Sequence, residues 1–95
     1  MEHELKIWPK YYCRVADGSK TFEVRENDRG FQPGDIVILR EFDPEPINPT
    51  SISPKGYTGS PDLKFKVGYV LVLTSTQVVF SLLPIKEAPK KAAKR

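Results

Sequence analysis

Between Lys20 and Arg25 the chain carries a lysine, a glutamate and an arginine, in the run Lys20-Thr21-Phe22-Glu23-Val24-Arg25. An ammonium group is a point charge for a phosphate or carboxylate. A guanidinium is a planar fork for bidentate bonds or for stacking on a base. A carboxylate accepts from an amino group such as those on nucleobases. Residues two apart share one face of a strand, so Glu23 and Arg25 stand side by side. Two arrangements satisfy that pattern: a charged cleft, or an ion pair on a solvated strand.

Other residues could contribute to nucleic-acid binding. Lys6 and Trp8 share a strand face, as do Lys64 and Lys66, and Tyr57 lies in a loop where it could stack on a base. Such stacking is worth about 1–3 kcal/mol. The plainer alternative is solvent-facing lysines and a tryptophan covering one end of the core. One His and one Cys cannot supply the usual zinc ligand sets, so no metal site is expected. Neither a Walker A loop nor a dinucleotide fingerprint is present, and no cofactor is expected. Cys13 with His3 could form a nucleophile–base pair, but a lone helical cysteine facing the core is the commoner arrangement.

These residues must be held by short elements. Glu4 to Trp8 alternates polar and apolar, as a strand does. Pro9 suits the first turn of a helix running over Lys10 to Asp17, and Gly18 ends it. In that helix Tyr11 and Val15 are four apart, as are Tyr12 and Ala16. Barely two turns long, it must pack on a sheet. Thr21 to Arg25 alternates again, with Phe22 and Val24 on one face. Asn27-Asp28-Arg29-Gly30 and Pro33-Gly34-Asp35 punctuate a tight connection. Asp35 to Phe42 is a strand with apolar groups on both faces, which predicts cover on both sides.

Residues 43–61 hold five of the nine prolines and read as a long loop, functional or mobile. Leu63, Phe65, Val67, Tyr69, Leu71 and Leu73 then mark one face of a long strand, with Lys64 and Lys66 opposite. Thr74-Ser75-Thr76 turns the chain, and Gln77 to Leu83 returns as the last strand before Pro84. The order is β-α-β-β-β-β: a mostly β, α+β chain, expected to form a small barrel or strongly bent sheet with one short helix after the first strand.

Composition narrows the class further. Ninety-five residues fit one domain. The longest apolar stretch, Tyr69 to Leu73, is far short of the roughly 20 residues a spanning helix needs. The start lacks a secretory pattern, and a single cysteine fits a reducing cytoplasm. A monomer without membrane attachment is expected. The net charge of +3 resides in Glu87 to Arg95, while residues 1–86 are balanced. Residues 1–85 are therefore expected to form the domain. Residues 86–95, with too little apolar content to fold, are expected to be a disordered basic tail, an arm for phosphates or an aid to solubility.

Several motifs in order carry a resemblance. Gly18-Ser19-Lys20-Thr21-Phe22-Glu23-Val24-Arg25 looks like the Gly-x-Lys-x-x-x-x-Arg signature that opens ASCH domains. With His3-Glu4-Leu5-Lys6-Ile7, Pro9, Glu26-Asn27-Asp28-Arg29, Phe31-Gln32-x-Gly34-Asp35, Leu39-Arg40-Glu41 and Tyr57-Thr58-Gly59, the chain resembles an uncharacterised bacterial and phage family of the ASCH/PUA-like superfamily over about residues 3–73. The resemblance implies a PUA-like barrel with Lys20, Glu23 and Arg25 projecting into a cleft between helix and barrel. It also implies binding of RNA or a nucleotide-sized ligand; the strand-face lysines Lys6, Lys64 and Lys66, read from the sequence itself, would be secondary phosphate contacts.

Some relatives are amidohydrolases that act on an acylated nucleoside with a lysine, a threonine and a glutamate. Lys20 matches their lysine, but Glu23 stands where their threonine would be, and loss of that hydroxyl points to a non-catalytic module. The 43–61 loop is longer and richer in proline than the family pattern, and Ser60 replaces an expected basic residue. A third class, an adaptor that binds a host or partner protein, would use this loop with its Ile47 and Ile52.

Overall fold

The computed structural model describes residues 1–44 and 56–85. Strand β1 (Glu2–Ile7) buries His3, Leu5 and Ile7 and exposes the residues between them. Helix α1 (Pro9–Ala16) follows at once. Trp8 is its N-cap in extended conformation, and Pro9 sits at the first helical position, where a missing N–H costs nothing. The expected first strand thus ends one residue before Trp8. Strands β2 (Phe22–Glu26), β3 (Ile36–Asp43), β4 (Gly56–Tyr57), β5 (Leu63–Val72) and β6 (Gln77–Pro84) complete the elements among the described residues. β4 lies inside the segment expected to be a loop and pairs with Phe42 and Asp43 of β3. The rest of that loop, with Ile47 and Ile52, and the basic tail from residue 86 lie outside the described residues.

The sheet runs in the order β1-β3-β5-β6-β2, with β4 added on β3. β1 lies parallel to β3, and the other neighbours are antiparallel. β1 and β2 are therefore the two ends, and among the described residues the ladder does not close into the expected barrel. Its free edge carbonyls go to side chains instead. Arg29 Nη1 donates to Glu4 O at 2.9 Å, and Arg25 Nη2 to Lys6 O at 2.8 Å.

One face of the sheet carries the core: Leu5, Ile7, Val37, Leu39, Val67, Val78, Phe80 and Leu82, with Phe31 from the β2–β3 connection and Val15 from the helix. Each such side chain contributes about 1.5–3 kcal/mol by leaving water. Phe31 packs at a tilt against Phe80 and in a T-shaped contact with His3, both with ring centroids 4.8 Å apart. Ile36 and Ile38 on the other face of β3 are only half-buried, so cover there is partial.

Two expectations are corrected by local geometry. In β5 the register slips by one residue between Val67 and Val70, which pair with Leu82 and Phe80. This bulge turns Val70 inward and leaves Tyr69, Leu71 and Leu73 exposed, although strict alternation put them with Val67. Gly68 makes it feasible: a Cβ there would lie 2.5 Å from Ser81 Oγ, the same oxygen that accepts the Tyr69 N–H at 2.8 Å. In α1 only Val15 is buried, with Tyr12 partly so; Cys13 faces solvent rather than the core. Eight residues leave the helix one narrow contact stripe, and position 13 lies off it. His3 pairs instead with Asp35, Nε2 to Oδ2 at 2.8 Å. No described helix is long and apolar enough to cross a membrane.

Candidate functional site

The gap between the two sheet ends, roofed by the start of α1, is a cavity of about 610 Å³. β1 and its junction with the helix supply Lys6, Ile7 and Trp8, the first helical turn supplies Tyr11, and the β2 region supplies Lys20, Phe22, Glu23, Val24 and Arg25. The size suits a small organic ligand.

Local sequence explains the placement of the charged groups. Gly18, at φ +86°, ends the helix, and Asp17 Oδ1 accepts from the Ser19 N–H and hydroxyl at 2.8 and 2.6 Å. That turn delivers Lys20 just ahead of β2. Alternation along β2 then buries Glu23 and leaves Phe22 and Val24 nearly half exposed. A strand that buries its acid and exposes its apolar residues is unusual, and it is tolerated because the acid is fully engaged. Glu23 Oε1 accepts from Lys20 Nζ, while Oε2 accepts from Arg25 Nε at 2.9 Å and Nη2 at 2.7 Å. The three charged side chains form one ion-paired cluster lining the cavity, with Glu23 buried and not on a solvated strand.

The remaining hydrogen bonds define the floor. Lys20 Nζ also donates to Phe22 O at 2.6 Å and lies 4.9 Å from the Phe22 ring centre and 5.7 Å from that of Tyr11. In the β2–β6 ladder Thr21 O and the Asn27 N–H bond to β6 or its entry. The intervening Phe22, Val24 and Glu26 therefore turn their backbone groups to the free edge, where Phe22 and Val24 line the cavity. Above the floor, the Trp8 and Tyr11 rings lie 6.4 Å apart and 20° from parallel. Both keep about half their surface exposed.

Five of the eight expected residues, Lys6, Trp8, Lys20, Glu23 and Arg25, come together here. The other three do not. Tyr57 lies on β4, packed edge-on against Phe42 at 5.3 Å and beneath the Arg40 guanidinium at 4.1 Å. Lys64 and Lys66 stand on the outer face of β5, opposite Ile38 and Ile36. Tyr11 and Phe22 were missed as site residues. Tyr11 was legible as the residue three after Trp8, which a helical turn brings to the same side. Phe22 carried no such signal, because its alternation with Glu23 pointed to the core.

A second polar cluster lies beyond Ile7. Glu41 Oε1 accepts the hydroxyls of Thr58 and Ser60 at 2.6 and 2.5 Å. Ser60, the departure from the family pattern, thus joins Thr58 on one carboxylate oxygen.

A family model described as a domain of unknown function (DUF3850) matches residues 2–82, nearly the whole described chain. An uncharacterised 12.9 kDa protein in the GpA 3′ region of Escherichia phage P2 is 42% identical over 40 residues. That stretch covers 42% of this chain and 37% of the phage protein, so the chain spans little more than a third of that relative.

Proposed function

The chain belongs to the DUF3850 family, and from that premise we propose that its pocket binds RNA or a nucleotide-sized ligand without altering it. One observation carries this reading. A single cavity sets three half-exposed aromatic rings, Trp8, Tyr11 and Phe22, over a floor of Lys20, Glu23 and Arg25. Aromatic faces stack on bases of any sequence, and cations hold phosphate. The same signature residues underlie the proposed kinship with ASCH/PUA-like proteins, whose cleft lies between helix and barrel.

The non-catalytic part of the proposal rests on Glu23. It occupies the position of the amidohydrolase threonine and has both oxygens engaged by Lys20 and Arg25. Among the lining residues the hydroxyl is that of Tyr11, and a serine or threonine nucleophile is not among them.

The test is a backbone-amide NMR titration with short single-stranded RNA at about 0.15 M salt, where weak long-range attraction is largely screened. Saturable shifts clustered on Lys6–Tyr11 and Lys20–Arg25 are expected. Shifts confined to Glu87–Arg95 would reduce the interaction to nonspecific charge. No shifts at all would overturn the proposal and favour a protein partner.

A further inference from the structure

We propose that this pocket selects a nucleotide bearing a terminal phosphate monoester, with the phosphate on Lys20 and Arg25 and the base against Trp8, Tyr11 and Phe22. The inference rests on the nucleotide-binding reading above and names its ligand class. It follows from which hydrogen-bonding groups the floor has left. Both Glu23 oxygens are engaged, Phe22 O is capped by Lys20, and Lys6 O is capped by Arg25. These contacts leave one N–H of the Lys20 ammonium and the Nη1 group of Arg25. The floor therefore offers donors and little acceptor capacity, which suits an acceptor-only group such as phosphate.

The geometry of Arg25 separates phosphate from base. Its Nε and Nη2 form a side-on fork to Glu23, and Nη2 also reaches Lys6 O. The paired N–H bonds with which arginine reads a flat base edge are thus already committed. What remains is one nitrogen, and a tetrahedral phosphate can accept from it at several angles. The base is left to the rim, where Val24 turns an N–H and a C=O to the same edge and the aromatic faces are open.

Charge sets the phosphate class. Lys6, Lys20 and Arg25 against Glu23 give the lining a formal +2. A phosphate monoester carries about −1.5 to −2 at neutral pH and three acceptor oxygens. An internal diester brings a single charge, and a triphosphate brings more than this lining can neutralise. The same monoester chemistry occurs on a free mononucleotide and on the phosphorylated end of a single strand.

Trp8 is the single tryptophan and lines the pocket, so its fluorescence reports occupancy. The full chain is titrated at about 0.15 M salt, which screens loose attraction. The ligands are a nucleoside monophosphate, inorganic phosphate, and a single-stranded tetranucleotide phosphorylated at its 5′ end, at its 3′ end or at neither. A phosphorylated ligand should bind at least about ten-fold tighter than the hydroxyl-ended strand, the gain of one charge-assisted contact. Inorganic phosphate, without stacking, should bind roughly five-fold or more weaker than the mononucleotide. The tighter of mononucleotide and strand end identifies the source.

Lys20→Gln, which leaves Glu23 its Arg25 partner, should remove most of the phosphate preference. Lys6→Gln, which also gives up the ammonium's 4.5 Å contact with the Phe42 ring, should lower it a few-fold. Equal affinity for phosphorylated and hydroxyl-ended strands, with the mononucleotide no tighter than either, would overturn the inference while leaving nucleotide binding intact, and so would inorganic phosphate matching the mononucleotide. No saturable change with any ligand, together with an absence of RNA-induced amide shifts, would overturn both.

Discussion

Among the described residues two acids are buried, Glu23 and Asp35, and their surroundings differ in a way that separates a site from a structural joint. Asp35 is met by His3 Nε2 at 2.8 Å, the Gln32 N–H at 3.1 Å and the Met1 amino group at 3.4 Å. Its partners come from β1, the residue before it and the turn just before β3, and His3 is itself buried against Phe31. This joint ties the start of β1 to the start of β3. Glu23 is met by two cations that it does not exhaust, beside an open cavity. Burial of an acid therefore says little by itself. Surplus charge and unspent donors next to empty space are what mark a place for a ligand.

The comparison breaks most visibly at Glu23. Glu23→Ala would leave Lys20 and Arg25 facing each other, both mostly buried, without their shared anion. Removing one partner of a buried charged cluster should cost about 3 kcal/mol, read from the urea midpoint. Glu23→Gln keeps the shape and one acceptor and should cost clearly less. Equal losses would mean that packing, and not charge, holds the clamp.

Asp35→Asn should cost about 1–3 kcal/mol through its weakened hydrogen bonds, and it should leave ligand affinity below the melting temperature unchanged. Here pH sharpens the contrast. The His3 hydrogen bond, with the Gln32 N–H and the Met1 amino group, outweighs the opposing effect of burial and holds the Asp35 carboxyl below its ordinary range. A depressed folded-state pKa gives stability that is present above the unfolded value of about 4 and is lost as pH falls through the folded value. The gap between wild type and Asp35→Asn in urea should therefore be widest near neutrality and narrow below about pH 4. A gap independent of pH would remove charge from the account of this joint.

Which parts of this were legible in the sequence follows from the range of the forces involved. Alternation and helical spacing are local, and they located β1, α1, β2, β3, β5 and β6 to within a residue or two. They also set Glu23 beside Arg25 and Lys6 near Trp8. The inversion of β2 was not legible. Glu23 goes inside only because Lys20 folds back onto it and Arg25 spans to β1, contacts made by tertiary structure. The β5 bulge depends on Gly68 meeting Ser81 across a strand pair, so alternation continued the apolar face through Tyr69 where the chain had slipped. Closure into a barrel was likewise beyond local pattern, because a strand's alternation is the same at a sheet's end as in its middle.

A smaller effect is expected on the aromatic rim. Trp8→Ala should leave the urea midpoint nearly unchanged, since the ring is half exposed and its main described contact is the stack on Tyr11. Loss of one stacking face should weaken RNA or nucleotide binding by about 1–3 kcal/mol, followed by amide shifts because the fluorophore is gone. Unchanged affinity would move the base away from the α1 start and toward Phe22.

The smallest effect tests where the site ends. Lys64 and Lys66 are exposed on the outer face of β5, outside the cavity lining. The double variant Lys64→Ala/Lys66→Ala removes two charges without disturbing a packed group, so stability should stay within about 0.5 kcal/mol. Acting only through screened, long-range attraction, they should alter affinity for a mononucleotide hardly at all and for a short RNA by a factor of about two at 0.15 M salt. A loss for RNA as large as that from Trp8→Ala, with mononucleotide binding intact, would mean the strand leaves the pocket and crosses the sheet. The exposed Tyr69 and Leu71 would then lie along its path, and the line between site and scaffold would have to be redrawn to include the β5 bulge.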